Sequence, residues 1–264
     1  MIPKVIHYCW FGGGEKSKLI QKCIKSWKRF CPDYPIIEWN ESNFPLASAP
    51  PYVRQAYEAK KWAYVADYAR LKILFDGGGV YMDTDVELCK PLDALLAHRA
   101  YFGFETAETI NTGLGFGAEK GLPLLLEMME QYEHRSFRFQ DGQYLTCPLI
   151  DTEVFVKKGL RLDGTKQLLE GDILVLPMDY LCPKSLLTEW ITKTENTVSV
   201  HHFTTSWFSE EQREHHKKVV KEARRATKAA RRRSLPKRML RRLLGNKLYE
   251  KIKKKARGCA LWKQ

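Results

Sequence analysis

The 264-residue sequence has no apolar run approaching the roughly 20 residues that a membrane-spanning helix needs. Its opening, "MIPKVIHYCWFGGG", lacks the basic region and unbroken apolar core of a secretory leader. It also has no Cys-x-x-Cys pair. The seven cysteines, at 9, 23, 31, 89, 147, 182 and 259, are odd in number and scattered. That spacing argues against a disulfide framework or a structural zinc site and for reduced thiols. The expectation is a cytoplasmic protein, or one peripheral on the cytoplasmic face of a membrane. No internal repeat is visible, and the length is too short for two domains of ordinary size.

An apolar share of 44% and an aromatic share of 12% are those of an ordinary folded protein, so the chain can build one substantial core. The net charge of +13 is unevenly spread. Residues 217–257 hold 19 Lys and Arg against two acids, Glu222 and Glu250, whereas the remainder holds 25 basic and 29 acidic residues. A mildly acidic body thus carries a strongly basic tail.

Along the body, strand-like and helix-like stretches alternate. "KVIHYCWF" is a compact apolar run that ends in three glycines, as a core strand entering a loop does. "SKLIQKCIKSWKRF" repeats apolar residues at helical spacing and stops before Pro32. "PIIEWN" predicts a second strand, and Tyr57 to Phe75 a long helix ended by Gly77 to Gly79. "VYMDTDV", "YFGFE", "LGFGA" and "DILVLP" supply further strands. Alternation of this kind predicts an α/β sandwich around a mainly parallel sheet.

Asp83 and Asp85 close the stretch "GGGVYMDTDVE". Side chains two apart on an extended segment project to one side, so the two carboxylates can converge on one cation while Thr84 points away. Their hard oxygens suit Mg²⁺ or Mn²⁺, and ligands of open α/β sheets gather at the carboxyl ends of strands. Asp-x-Asp is also common in surface turns. Here, however, the pair follows an apolar strand, where its charge is costly unless compensated. Asp67 and Arg70, three apart on the predicted helix, share one face. They form either a surface ion pair worth a few tenths of a kcal/mol or a pair turned into a site, and the apolar neighbours Ala66, Ala69 and Leu71 favour the second.

Four blocks in one order, "IPKVIHYCW", "DYARLKILFDGGGVYMDTDVE", "LPMDYLCP" and "VHHFTTSW", resemble glycosyltransferase family 32, the glycosyltransferases with an Asp-x-Asp sugar-binding region. The likeness runs from residue 2 to about residue 207. It implies a single GT-A type, Rossmann-like nucleotide-sugar-binding domain over residues 1–209, with a basic helical tail over 210–264. It further implies a metal-dependent hexosyltransferase that uses Mn²⁺ or Mg²⁺ and a nucleotide diphosphate sugar, a uridine diphosphate sugar being favoured. The acceptor would be a glycan or lipid-linked glycan and the setting bacterial surface polysaccharide synthesis.

By the same resemblance His7 and Trp10 belong to the donor site, with Trp10 stacking on the base; a core tryptophan at the strand end is the other reading. Asp67 and Arg70 would contact sugar hydroxyls and the donor's sugar or phosphate oxygens. Asp83 would hold the ribose and help fix the metal, Asp85 would ligate it, and Asn111 would lie near the donor sugar, although an asparagine beside Gly113 also suits a turn. His201 would be a late metal or diphosphate contact, with Ser206 and Trp207 supporting the leaving diphosphate; Asp83, Asp85 and Trp207 are the residues implied for catalysis. Many relatives have Thr-Gly-Pro where this chain has Thr146, Cys147 and Pro148, a change expected to narrow the acceptor side or alter a loop and to leave the donor site intact. Retention of anomeric configuration, which rests on the resemblance, pairs with a front-face displacement because no carboxylate stands out as a nucleophile.

In the tail, Leu240, Leu243, Leu244, Leu248 and Ile252 form one apolar stripe among cations. A basic amphipathic helix of this kind suits an anionic membrane surface. The competing function is a nucleic-acid-binding protein that grips phosphates through the tail, with a structural acidic pair. Confinement of the positive charge to the tail, outside a net acidic body, speaks against it, and no nucleic acid partner is expected.

Overall fold

The structure is a computed structural model that describes residues 1–137, 146–205 and 208–230. Two compact units are present: Met1–Leu186 with Trp190–Phe208, and Leu187–Glu189 with Ser209–Gln264.

The first unit begins with β1 (Ile6–Cys9), α1 (Lys18–Phe30) and β2 (Ile36–Trp39), then α2 (Pro51–Glu58) and α3 (Trp62–Gly77). The single helix predicted from Tyr57 to Phe75 is two helices. Lys60 takes a left-handed φ of 56°, which breaks the chain between them. β3 (Gly79–Tyr81), β4 (Val86–Leu88), β5 (Ala100–Gly103) and β6 (Phe116–Ala118) follow, then α4 (Pro123–Glu133), α5 (Cys147–Lys157), β7 (Gln167–Leu169), β8 (Ile173–Leu176), α6 (Met178–Leu181) and β9 (Ser199–His201).

Seven strands form one sheet in the order β2-β1-β3-β6-β5-β8-β7. The parallel pairs β1–β2, β1–β3 and β5–β8, with β6 antiparallel to both β3 and β5, leave five strands running one way and β6 and β7 opposed. The α/β class expected from the sequence is therefore present. Alternate residues feed opposite faces, as the pleat requires. Ile173 and Val175 pack with Phe102, Phe116 and Leu71 of α3, whereas Leu174 and Leu176 pack with Tyr101, Val80 and Trp27 of α1. Covered on both faces, the central strands read as apolar runs in the sequence.

Two features aim the chain at the sheet's carboxyl edge. α3 is apolar almost all round and buried, with Leu71 and Leu74 inaccessible to solvent, so polar residues on it are buried too. After it, Gly79 takes a φ of 111° in the left-handed region, and a Cβ there would lie 2.6 Å from Val5 Cγ1. Only glycine lets β3 start so close to β1.

Off the main sheet, β4 pairs antiparallel with β9, Val86 opposite His201 and Leu88 opposite Ser199. Trp27 of α1 holds this ribbon by donating its indole N–H to Val86 O at 2.7 Å. In the second unit, the described residues form a helix over 210–230. Its Arg224 donates to Thr188 O at 2.6 Å and to Glu189 Oε2 at 2.8 Å. No described helix is long and apolar enough to cross a membrane. The leucine stripe of residues 240–252 lies outside the described residues.

Candidate functional site

Asp83 and Asp85 do converge, but by a turn rather than by strand alternation. β3 ends at Tyr81, and Val86 N donates to Asp83 O at 3.0 Å, closing a tight turn that presents both carboxylates at the sheet's edge. The β4–β9 register then carries His201 beside Asp85, Nε2 to Oδ1 being 3.1 Å. Ligand atoms of Asp83, Asp85 and His201 all lie within 4.8 Å of one another.

Asp85 is buried, and burial opposes its charge. The His201 imidazole and two hydrogen bonds from Thr204 override that penalty and hold its carboxyl well below the usual range. The Thr204 N–H and hydroxyl both donate to Oδ2, at 2.8 and 2.9 Å. Phe203 and Thr205, either side of Thr204, take left-handed φ values of 51° and 48°. His201 is disfavoured as a cation by burial, but Asp85 raises its pKa above the ordinary value. Its Nδ1 is buried without a hydrogen-bond partner.

On α3, Arg70 is 3% exposed and donates to Asp67 at 2.6 Å, while its Nη2 lies 3.4 Å from Asp83 Oδ1. The pair is thus turned into the site rather than laid on the helix surface. Burial raises the Asp67 carboxyl to about 6, opposed by Arg70 and reinforced by Asp83. Arg70 also donates to Thr112 Oγ1 at 3.3 Å, and Thr112 donates to Asp151 Oδ2 at 2.8 Å. Asp151, on α5, is fully buried with Oδ1 unpartnered, and burial pushes its carboxyl up to about 7. Asn111 caps the turn after it by accepting from Gly113 N at 2.6 Å. Gly113 lies at the centre of the cluster: an added Cβ would meet Asp83 Oδ2 at 2.4 Å and Arg70 Nη1 at 3.1 Å.

Six expected residues, Asp67, Arg70, Asp83, Asp85, Asn111 and His201, are therefore brought to one place. Trp10 stands at the end of β1, half-buried, its indole N–H on Gly14 O at 2.7 Å and Lys16 Nζ 4.9 Å from its ring centre. His7 is buried, its Nδ1 accepts from Trp39 and its Nε2 lies 3.2 Å from Gly78 O, so both ring nitrogens have partners within the fold. Burial lowers its pKa to about 4, which keeps it neutral. Ser206 and Trp207 lie outside the described residues.

Cys147 also departs from expectation. Its thiol accepts from Arg70 at 3.8 Å and donates to Asn111 Oδ1 at 3.6 Å, so it belongs to the donor-side cluster. Thr112, Asp151, Thr204 and Glu105 had no signal of their own in the sequence, because each is made significant by a residue distant in the chain.

Residues 17–102, a third of the sequence, match the family model described as "Glycosyltransferase sugar-binding region containing DXD motif". Over that third of its length the chain is similar to the glycosyltransferases with a DXD-containing sugar-binding region. In Schizosaccharomyces pombe, inositol phosphoceramide mannosyltransferase 3 is 28% identical over 151 residues, 55% of this chain and 41% of that protein. Inositol phosphoceramide mannosyltransferase 1 is 28% identical over 176 residues, 59% and 52% of the two chains. The chain thus spans about half the length, or less, of these curated relatives. Among solved structures, the PaToxG glycosyltransferase superposes with a TM-score of 0.48 at 20% identity, over 59% of this chain and 69% of that one. A glycosyltransferase involved in glycosylation of the major capsid of PBCV-1 gives 0.42 at 14%, over 81% and 99%.

The ligand set fits a divalent cation. Asp83, Asp85 and His201 bring their ligand atoms within 4.8 Å of one another, and His201 Nδ1 is buried without a hydrogen-bond partner. Two hard carboxylates with one borderline imidazole suit Mn²⁺ or Mg²⁺.

Proposed function

We propose that the chain is a metal-dependent glycosyltransferase that moves a hexose from a nucleotide diphosphate sugar to a glycan or lipid-linked glycan. The observation that carries this reading is the convergence of Asp83, Asp85 and His201 within 4.8 Å, beside the buried Asp67–Arg70 pair. Mannose and a lipid acceptor appear in the relatives' names, which favours a lipid-linked acceptor here. A role in bacterial surface polysaccharide synthesis and a preference for uridine diphosphate sugars remain part of the proposal, resting on the family resemblance.

Asp83, Asp85 and His201 would hold Mn²⁺ or Mg²⁺, which when bound supplies charge neutralisation of the departing diphosphate. Arg70, fixed between Asp67 and Asp83, orients the donor's sugar and phosphate oxygens without having to reorganise during reaction. Asp67 accepts a sugar hydroxyl, Asn111 approaches the same sugar, and Trp10 stacks on the base. Ser206 and Trp207 complete the diphosphate contacts in this scheme. The acceptor hydroxyl attacks the face that the diphosphate leaves, the C1–O bond to phosphate breaks, and a phosphate oxygen takes the hydroxyl proton. The anomeric configuration is retained.

We further propose that residues 217–257 rest on an anionic membrane face, cytoplasmic in orientation, bringing the site to a lipid-linked acceptor. The test of the activity is metal-dependent release of nucleotide diphosphate from a panel of uridine and guanosine diphosphate hexoses. Failure of the chain to bind any of these donors, together with salt-sensitive binding to nucleic acid, would instead favour the nucleic-acid reading.

A further inference from the structure

Glu105 lies two residues beyond β5, which runs in the same direction as β3, so its backbone leaves the sheet at the same edge as the Asp83–Asp85 turn. A short hairpin follows. Phe104 bridges Ile110, and Glu105 N donates to Thr109 O at 2.8 Å, folding the chain back so that Glu105 and Asn111 stand side by side. Asn111 Nδ2 donates to Glu105 Oε2 at 3.3 Å. The other end of the same amide accepts from Gly113 N and from Cys147, so its orientation is fixed. Glu105 is half-buried. Burial raises its pKa, and the positive charge of His201 acts in the opposite direction.

A carboxylate offers about four acceptor positions, and a half-buried one keeps some of them open to water or to a ligand. Among the described residues, the Asn111 amide is the side-chain donor that Glu105 has, at a long 3.3 Å. The remaining acceptor capacity lies beside Asn111, where hydroxyls of a bound sugar would take the place of water as donors. We infer that Glu105 is a specificity-determining residue, a carboxylate that accepts hydrogen bonds from hydroxyls of the transferred hexose alongside Asn111. The inference rests on the glycosyltransferase reading above and adds a sugar-reading group to it. The competing role is mechanical: Glu105 would simply brace the Asn111 amide.

Glu105→Gln separates the two roles. It keeps an oxygen able to accept from Asn111, and so preserves the brace, but removes the charge that strengthens hydrogen bonds from hydroxyls. Calorimetric titration of the full chain with Mn²⁺ would compare each nucleotide diphosphate hexose that the native protein binds with the corresponding free nucleotide diphosphate. The expected result is about tenfold weaker binding of the sugar nucleotide, about 1.4 kcal/mol, with binding of the free diphosphate unchanged. A thermal melt of the variant close to native would verify the fold. Native affinity for the sugar nucleotide in the variant, or equal losses for both ligands, would overturn the inference while leaving the transferase reading intact. Absence of sugar-nucleotide binding by the native chain would instead overturn the transferase reading, and this inference with it.

Discussion

Gly113 is the residue on which the site's close packing converges. A Cβ at that position would lie 2.4 Å from Asp83 Oδ2 and 2.9 Å from Asn111 Oδ1, closer than carbon and oxygen approach without something shifting. Gly113→Ala is therefore expected to push Asp83 or Asn111 aside, weakening metal-dependent donor binding at least tenfold and costing about 1–3 kcal/mol of stability. Donor titration and denaturant unfolding would measure the two effects. Asp151 makes a different prediction. Its carboxyl is raised to about 7, so between about pH 4 and 7 the folded chain binds a proton that the unfolded chain has lost. This group's contribution to stability therefore falls as pH rises through that window. In Asp151→Asn that loss is absent, while any cost of the new amide is independent of pH. The melting temperature of the variant should gain several degrees on native between pH 5 and pH 8; an unchanging difference would show that Asp151 is ionised throughout. At this scale Asp67, Arg70, Asp83 and Asp85 were legible because each pair lies close in the chain. Asp151, Thr112 and Thr204 were not, because their meaning comes from contacts up to 119 residues away.

Among the elements, the β4–β9 ribbon matters most to the site, because it delivers His201 to Asp85 across more than a hundred residues. Its anchor is Trp27, fully buried, with its indole N–H on Val86 O. Trp27→Phe would leave that buried carbonyl unpaired and open a small void, a cost of about 2–4 kcal/mol. Urea unfolding would read the loss, and the looser ribbon should also weaken donor binding. β1, β2, β5, β6 and β8 were legible in the sequence as apolar runs bounded by Gly and Pro; all but β2, a partly exposed edge strand, are buried on both faces. α4, α5 and β7 were not singled out. The split between α2 and α3 was also hidden, because Lys60 gives no sign of its left-handed backbone. "VYMDTDV" was read as one strand, yet the chain turns at the two aspartates.

For the whole molecule, charge asymmetry is the governing property. Residues 217–257 concentrate 19 cations, whereas the remainder is slightly acidic. The full chain should bind vesicles containing phosphatidylserine, release them as ionic strength rises, and ignore neutral vesicles. Salt-insensitive binding, or equal binding to neutral vesicles, would contradict the membrane proposal. This asymmetry was legible from composition alone, whereas the placement of His201 beside Asp85 and the hydrogen bonds of His7 required the fold.

The central claim is that Asp83, Asp85 and His201 make a metal-dependent donor site. Its most direct test is nucleotide diphosphate release from uridine and guanosine diphosphate hexoses, with and without Mn²⁺, by the native chain and by Asp85→Ala. The account predicts release from at least one donor, dependent on Mn²⁺ and reduced roughly 100-fold or more in the variant. Release that is indifferent to Mn²⁺, or undiminished in Asp85→Ala, would contradict it.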